Sequence, residues 1–186
     1  MNIFIDHNIW DQLFKRNVDL DAHFPKDKYS LYVTRQGSFE IRQTPDTKAK
    51  LKEYINTYIK GTVQEDSLFG FGNPNLPSNE QRVSGFGMGR FSSIEENEIR
   101  AKLARKYGST KKRKSTQILY QQEADIELAV RSINHPIITL DVKAGPLKDA
   151  KDLGGKVVFI NLSEIDSLSG EQFVEYIQNR LAEIKT

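Results

Sequence analysis

QQEADIELAVRSINHPIITLDVKAG, residues 121–145, is the stretch whose reading decides the fold. Ile137, Ile138, Thr139 and Leu140 form a short apolar run rich in β-branched side chains. Bounded by a helical pattern before it and Gly-Pro after it, such a run reads as a buried strand. His135-Pro136 sets its start, because the residue before a proline is pushed out of the α region. Asp141 therefore falls just past the carboxyl end of a strand. Upstream, Ile118, Leu119, Gln122, Ile126, Ala129, Val130 and Ile133 recur at helical spacing and predict one helix with a single apolar face. Asp125 lies on one rim of that face and Glu123 on the other, about 160° away at 100° per residue. The two cannot serve one site together, so Asp125 is the candidate and Glu123 the reserve. Glu127 and Arg131, four apart, read as a surface ion pair.

Working outward, the same grammar recurs. Residues 2–5 predict a strand ending on Asp6, and Asn8 is a candidate cap for a helix carrying Ile9, Trp10, Leu13 and Phe14. Residues 29–34 (YSLYVT) predict a second strand, with Phe39, Glu40 and Ile41 in a short helix or turn beyond its end. Glu40 has apolar neighbours on both sides, as a buried, partnered carboxylate or a metal ligand would. Thr44-Pro45 opens a helix with Leu51, Tyr54, Ile55, Tyr58 and Ile59 inward. Ser93 with Glu96, and Ser169 with Gln172, are capping-box patterns that start two further helices. KVVFI at 156–160 is a fourth apolar strand. Strands alternating with helices imply an α/β fold with a parallel sheet, in which ligands gather at the carboxyl ends of strands. Asp6 and Asp141 both occupy that kind of position, although an acid there also serves as a plain helix cap.

The 186 residues favour one domain, 1–186, with an insertion at about 61–115. Residues 67–91 hold five glycines, two prolines and four phenylalanines without any period. This segment reads either as a flap whose aromatic rings stack on unpaired bases or as a surface loop with its rings tucked on the core. The net charge of +2 conceals an asymmetry: residues 100–114 carry eight Lys or Arg and no acid, leaving 19 basic against 25 acidic side chains elsewhere. Arg100, Lys111, Lys112, Arg113 and Lys114 are the candidates for gripping a polyanion, against the alternative of a solvated loop. With no cysteine, thiol chemistry and disulfides are excluded, and a cytoplasmic location is expected. No apolar run reaches the ~20 residues of a membrane span, and no signal-peptide pattern is present.

Asp6, Glu40, Asp125 and Asp141 come from four separate segments, three of them at inferred strand ends. Ionised carboxylates ~5 Å apart repel by roughly 3 kcal/mol per pair at an effective dielectric near 20. Gathered in one place they need a cation or raised pKa values. An all-oxygen donor set suits Mg²⁺ or Mn²⁺ rather than zinc, and the chemistry it points to is phosphodiester hydrolysis. Dinucleotide, P-loop and GxSxG motifs are absent, and His7, His23 and His135 show no metal spacing.

On FIDHNIWDQL, SFEI, ADIELA and ITLD, taken in that order, the chain resembles the PIN-domain nucleases, which include many bacterial toxin–antitoxin ribonucleases. The resemblance implies a three-layer domain with a central parallel sheet of about four to five strands flanked by helices. It implies an Mg²⁺- or Mn²⁺-dependent endoribonuclease, RNA being favoured over DNA as substrate. It places the acidic metal site on Asp6, Glu40, Asp125 and Asp141, and gives Thr139 the place of a small hydroxyl residue near the metal. An antitoxin-like protein partner and a homodimer are further expectations it carries, and a non-catalytic PIN-like module binding nucleic acid or protein is the alternative.

Overall fold

The computed structural model describes residues 1–59, 61–112 and 116–184. Five parallel strands, β1 (Asn2–Ile5), β2 (Ser30–Thr34), β3 (Val63–Asp66), β6 (Ile137–Thr139) and β7 (Val157–Phe159), form one sheet in the order β3-β2-β1-β6-β7. Apart from it, β4 (Leu68–Phe69) and β5 (Val83–Ser84) make a small parallel pair.

Alternation along the strands sorts side chains to two faces, so each face needs its own cover. Ile3, Ile5, Leu31, Val33, Ile138 and Val158 point to one side. There they pack with Trp10 and Leu13 of α1 (His7–Lys15), Leu51 and Ile55 of α4 (Ala49–Ile59), and Phe173, Ile177 and Leu181 of α9 (Gly170–Ile184). Phe4, Ile137 and Val157 point to the other side. They meet Leu103 of α5 (Ile94–Tyr107), Ile126 and Val130 of α6 (Glu123–Arg131), and Leu147 and Ala150 of α7 (Pro146–Asp152). Helix, sheet, helix is the three-layer α/β architecture. The remaining short helices are α2 (Leu20–His23), α3 (Arg35–Arg42) and α8 (Leu162–Ile165). Both capping boxes form: Ser93 with Glu96, and Ser169 with Gln172. Among the described residues no helix is long and apolar enough to cross a membrane.

Four sequence expectations need correction. The fifth strand, β3, lies inside the segment assigned to the insertion. As VQED it has only Val63 buried, which an edge strand tolerates but an apolar-run search passes over. The central helix starts at Glu123, not near Ile118, because Gln122 turns left-handed (φ 63°) and interrupts the helical path. Ile118 and Leu119 pack instead with Phe39 and Ala124 in a small separate cluster. The cap of α1 is Asp6, and Asn8 sits one residue inside the helix.

The last correction concerns Glu127 and Arg131. Both are buried, Arg131 to 1 % exposure, in a network of alternating charge. Arg131 binds Asp66 at the end of β3 and Glu127 at 3.2 Å. Arg100 reaches the same Glu127 at 2.6 Å. Arg90 binds Asp66 at 2.7 Å and the fully buried Glu96 at 2.7 Å. Three guanidinium groups and three carboxylates thus cancel, as buried charges must. They bolt the insertion, through Arg90, Glu96 and Arg100, to the sheet edge and to α6.

The glycine–phenylalanine segment is correspondingly ordered. Arg90 N–H donates to the Ser67 carbonyl at 2.9 Å, and Phe69 N–H to the Arg90 carbonyl at 2.7 Å. Gly89 lies so close to this pair that an added Cβ would sit 2.5 Å from the Phe69 backbone, which is why glycine stands there.

Candidate metal centre

In the sheet order the chain leaves β1 towards β2 on one side and arrives at β6 on the other. The gap beyond the carboxyl ends of β1 and β6 is therefore the topological switch point of the sheet. Asp6 is the first residue past β1, held on the sheet by its N–H to the Ile138 carbonyl at 3.0 Å. Its Oδ1 accepts the His7 N–H at 2.7 Å. Its Oδ2 accepts from Asn8 Nδ2 at 2.6 Å and from the Thr139 hydroxyl at 2.5 Å. Thr139 Oγ1 in turn accepts the Asp141 N–H at 2.9 Å, and Asn8 Oδ1 accepts the Leu140 N–H at 3.0 Å. Asn8, offered by the sequence as a cap, is thus a brace that ties α1 to the turn after β6.

Asp6 is 8 % exposed. Burial pushes its carboxyl up to about 6; the Thr139 hydroxyl and the His7 N–H pull it down, and the charges of Asp125 and Asp141 push it up again. Asp125 and Asp141 are therefore close enough for Asp6 to feel both.

A cavity of about 410 Å³ opens at this point, and Asp6, Glu40, Asp125 and Asp141 all line it. Glu40 comes from α3, which follows β2 directly and is capped by the Thr34 hydroxyl accepting the Gly37 N–H at 2.9 Å. Asp125 comes from the first turn of α6, which packs against α3. Glu123 does not line the cavity: it holds Arg82 at 2.7 Å and caps the Tyr120 N–H at 2.9 Å, as its opposite place on the helix requires.

The structure adds residues that the sequence did not single out. Lys143 lines the cavity two positions beyond Asp141, with its N–H donating to Asp141 Oδ1 at 3.3 Å. Gln43, Gln117, Tyr120, Gln121 and Gln122 also line the cavity. Their amides follow no pattern that marks a site in a sequence, but Gln121 and Gln122 open the quoted stretch. His7 is a lining residue too; burial pushes its imidazole below the ordinary value, and its Nδ1 is buried with no hydrogen-bond partner.

The basic candidates divide. Arg100 is corrected: its guanidinium is committed to Glu127, Asn97 and Ser92, so it supports α6 and is not offered to a phosphate. Lys111 and Lys112 are exposed, and the Lys111 carbonyl accepts the Gln121 N–H at 2.9 Å, which brings this pair beside the cavity wall. Arg113 and Lys114 lie outside the described residues.

Among the described residues no group of three or more His, Asp or Glu side chains is gathered so as to hold a metal ion as it stands. The donor chemistry nevertheless fits a hard divalent cation: four carboxylates around one polar cavity, one of them, Asp6, pushed towards its protonated form first by burial and then by the charges of Asp125 and Asp141. Closing them on one ion requires the side chains to draw together. Comparison with protein-family models, curated proteins and solved structures produced no match.

Proposed function

We propose that this chain is a metal-dependent endonuclease of the PIN type, hydrolysing phosphodiester bonds in RNA. One observation carries the reading: four carboxylates remote in sequence line a single cavity at the switch point of the sheet. Asp6, Glu40, Asp125 and Asp141 are the residues that would hold Mg²⁺ or Mn²⁺. When bound, such an ion supplies Lewis acidity towards water and the phosphate oxygens.

The protein's own groups have separate tasks. Thr139 and Asn8 hold the Asp6 carboxylate in one orientation. Lys143 at the cavity, with Lys111 and Lys112 beside its wall, supplies positive charge for the phosphate backbone. The half-exposed Tyr120 ring and the wall amides offer a stacking surface and hydrogen-bonding groups suited to an unpaired base, which favours single-stranded RNA. In the reaction a water oxygen forms the new P–O bond, the bridging P–O bond breaks, and the leaving oxygen takes a proton.

The experiment is cleavage of mixed-sequence single-stranded RNA with Mn²⁺, then with EDTA. Products that need the metal and vanish in Asp6→Asn and Asp141→Asn support the enzyme. A second reading, a non-catalytic PIN-like binding module, is favoured by one detail: the Asp6 oxygens are already engaged by three donors. RNA binding without products, unchanged by those two substitutions, would select it.

A further inference from the structure

A second cavity, of about 270 Å³, lies in the seam between the insertion and the body of the domain. Leu68 of β4 and Val83 of β5, paired neighbours in the small parallel sheet, supply its apolar side chains. Gln36 of α3 and Arg131 of α6 line it from the body. It shares no lining residue with the acidic cavity.

Two of its polar groups lack partners. Gln36 is 6 % exposed, and its side-chain amide makes no hydrogen bond among the described residues. Arg131 is 1 % exposed; its Nε donates to Asp66 and its Nη1 to Glu127, but its Nη2 finds no acceptor among the described residues. The side-chain atoms sealed from solvent without a partner lie elsewhere, on His7, Trp10, Ser38 and Thr44, so the free groups of Gln36 and Arg131 open onto the cavity. A polar group taken out of water without a partner is costly, and each such case in a folded protein calls for something that satisfies it.

The surrounding charges narrow the occupant. The lining guanidinium groups are already matched: Arg82 by Glu123, Arg100 by Glu127, and Arg131 by Glu127 and Asp66. An anion would enter beside two carboxylates with no counter-charge left for it. Arg131 Nη2 offers only donors, whereas the Gln36 amide offers donors and an acceptor. The ligand that completes them is neutral and carries both acceptors and a donor on one edge. The volume lies just under the ~300–1,000 Å³ of drug-sized sites, which suits a single flat heterocycle against Leu68 and Val83. Nucleobases answer that description, and a glutamine amide pairs bidentately with such an edge in adenine.

We propose that this seam cavity binds a nucleobase, held at its edge by Gln36 and Arg131 and at its face by Leu68 and Val83. The inference stands apart from the chemistry of the acidic cavity, and a failure to cleave RNA would leave it untouched.

The test is calorimetric titration of the full chain with adenosine, guanosine, cytidine and uridine, and with ribose as control, in EDTA so that no metal contributes. At least one nucleoside is expected to bind with a dissociation constant below about 1 mM, and ribose is not. Gln36→Met keeps the length of the side chain and removes both of its hydrogen-bonding groups. It should weaken binding at least about 10-fold at an unchanged melting temperature. Leu68→Phe, which fills the cavity without touching its charges, should abolish binding. Competition by a short single-stranded RNA, lost in Gln36→Met, makes the occupant a base within a strand; nucleoside binding without such competition makes it a free nucleoside. No binding of any nucleoside up to about 10 mM overturns the proposal and leaves the cavity to ordered water. Binding undiminished in both variants overturns it as well.

Discussion

Thr139 donates its hydroxyl hydrogen to Asp6 across the boundary between β1 and β6, joining residues 133 positions apart. The same oxygen accepts the Asp141 N–H, so one buried hydroxyl orients two of the four acids.

Thr139→Val keeps the shape and removes that oxygen, leaving the Asp141 N–H and one lone pair of Asp6 without partners. The expected loss is about 1–3 kcal/mol in urea unfolding, with Thr139→Ser recovering most of it. Equal stability of all three proteins would mean that the hydrogen bond has no net weight.

The Asp6 carboxyl at about 6, against 3.8 for a free aspartate, gives stability a direction in pH. The folded state holds this proton more tightly than the unfolded chain. Its contribution is therefore intact below pH 4 and is lost as pH rises through 6, a cost of roughly 3 kcal/mol at pH 8. In EDTA, Asp6→Asn should stabilise the protein by about 1–3 kcal/mol at pH 8 and by nothing at pH 4. Denaturant titrations at the two pH values give the answer, and a gain of the same size at both would refute the burial argument.

A cation drawn to these carboxylates stabilises the folded state by mass action. At a hundredfold excess over its dissociation constant, Mn²⁺ should add about 2.7 kcal/mol, a rise of roughly 5–10 °C in melting temperature for a chain of this size. Asp141→Asn should remove most of that rise. An identical rise in both proteins would take Asp141 out of the ligand set.

Arg131→Met leaves Asp66 and Glu127 buried without their shared cation, a loss of about 3–5 kcal/mol. Glu96 adds a pH signature. Burial pushes its carboxyl up, but Arg90, the Ser93 N–H and Arg131 outweigh it and bring it down to about 2. Its contribution is present above about pH 4.5 and disappears as pH falls towards 2, so Glu96→Gln should flatten the acid limb of the stability curve. An unaltered acid limb would show that the pairing contributes nothing net.

Lys111→Gln with Lys112→Gln should weaken RNA binding and lower the slope of log affinity against log salt by up to about 2, without changing stability. Arg100→Gln should do the reverse, lowering the melting temperature with little effect on the salt slope. Titrations at three salt concentrations separate the two classes.

The layers of the fold were legible because residues 137–140 and 156–160 are short apolar runs of strand length, and the long helices keep a period of 3.6. Asp6 and Asp141 were legible because each follows such a strand directly. What escaped is what local pattern does not encode. VQED pairs through backbone groups at a sheet edge, where side chains give little signal. Gln122 breaks the helix by one backbone angle. The burial of Glu127 and Arg131 depends on Asp66, Arg90, Glu96 and Arg100, and four-residue spacing alone looks the same inside as outside. The glutamines of the cavity come from the residue that closes α3 and from the segment before α6, so no single window of sequence contains them.

Charge neutrality among Arg90, Arg100, Arg131, Asp66, Glu96 and Glu127 has a bearing on how this chain can be shortened. Excising residues 67–115 to reach a more compact body would remove two of the three cations and one of the three anions, stranding Asp66 and Glu127 around a lone Arg131. A trimmed version would have to replace all three survivors with apolar residues. What looks like an appendage is thus structurally obligatory.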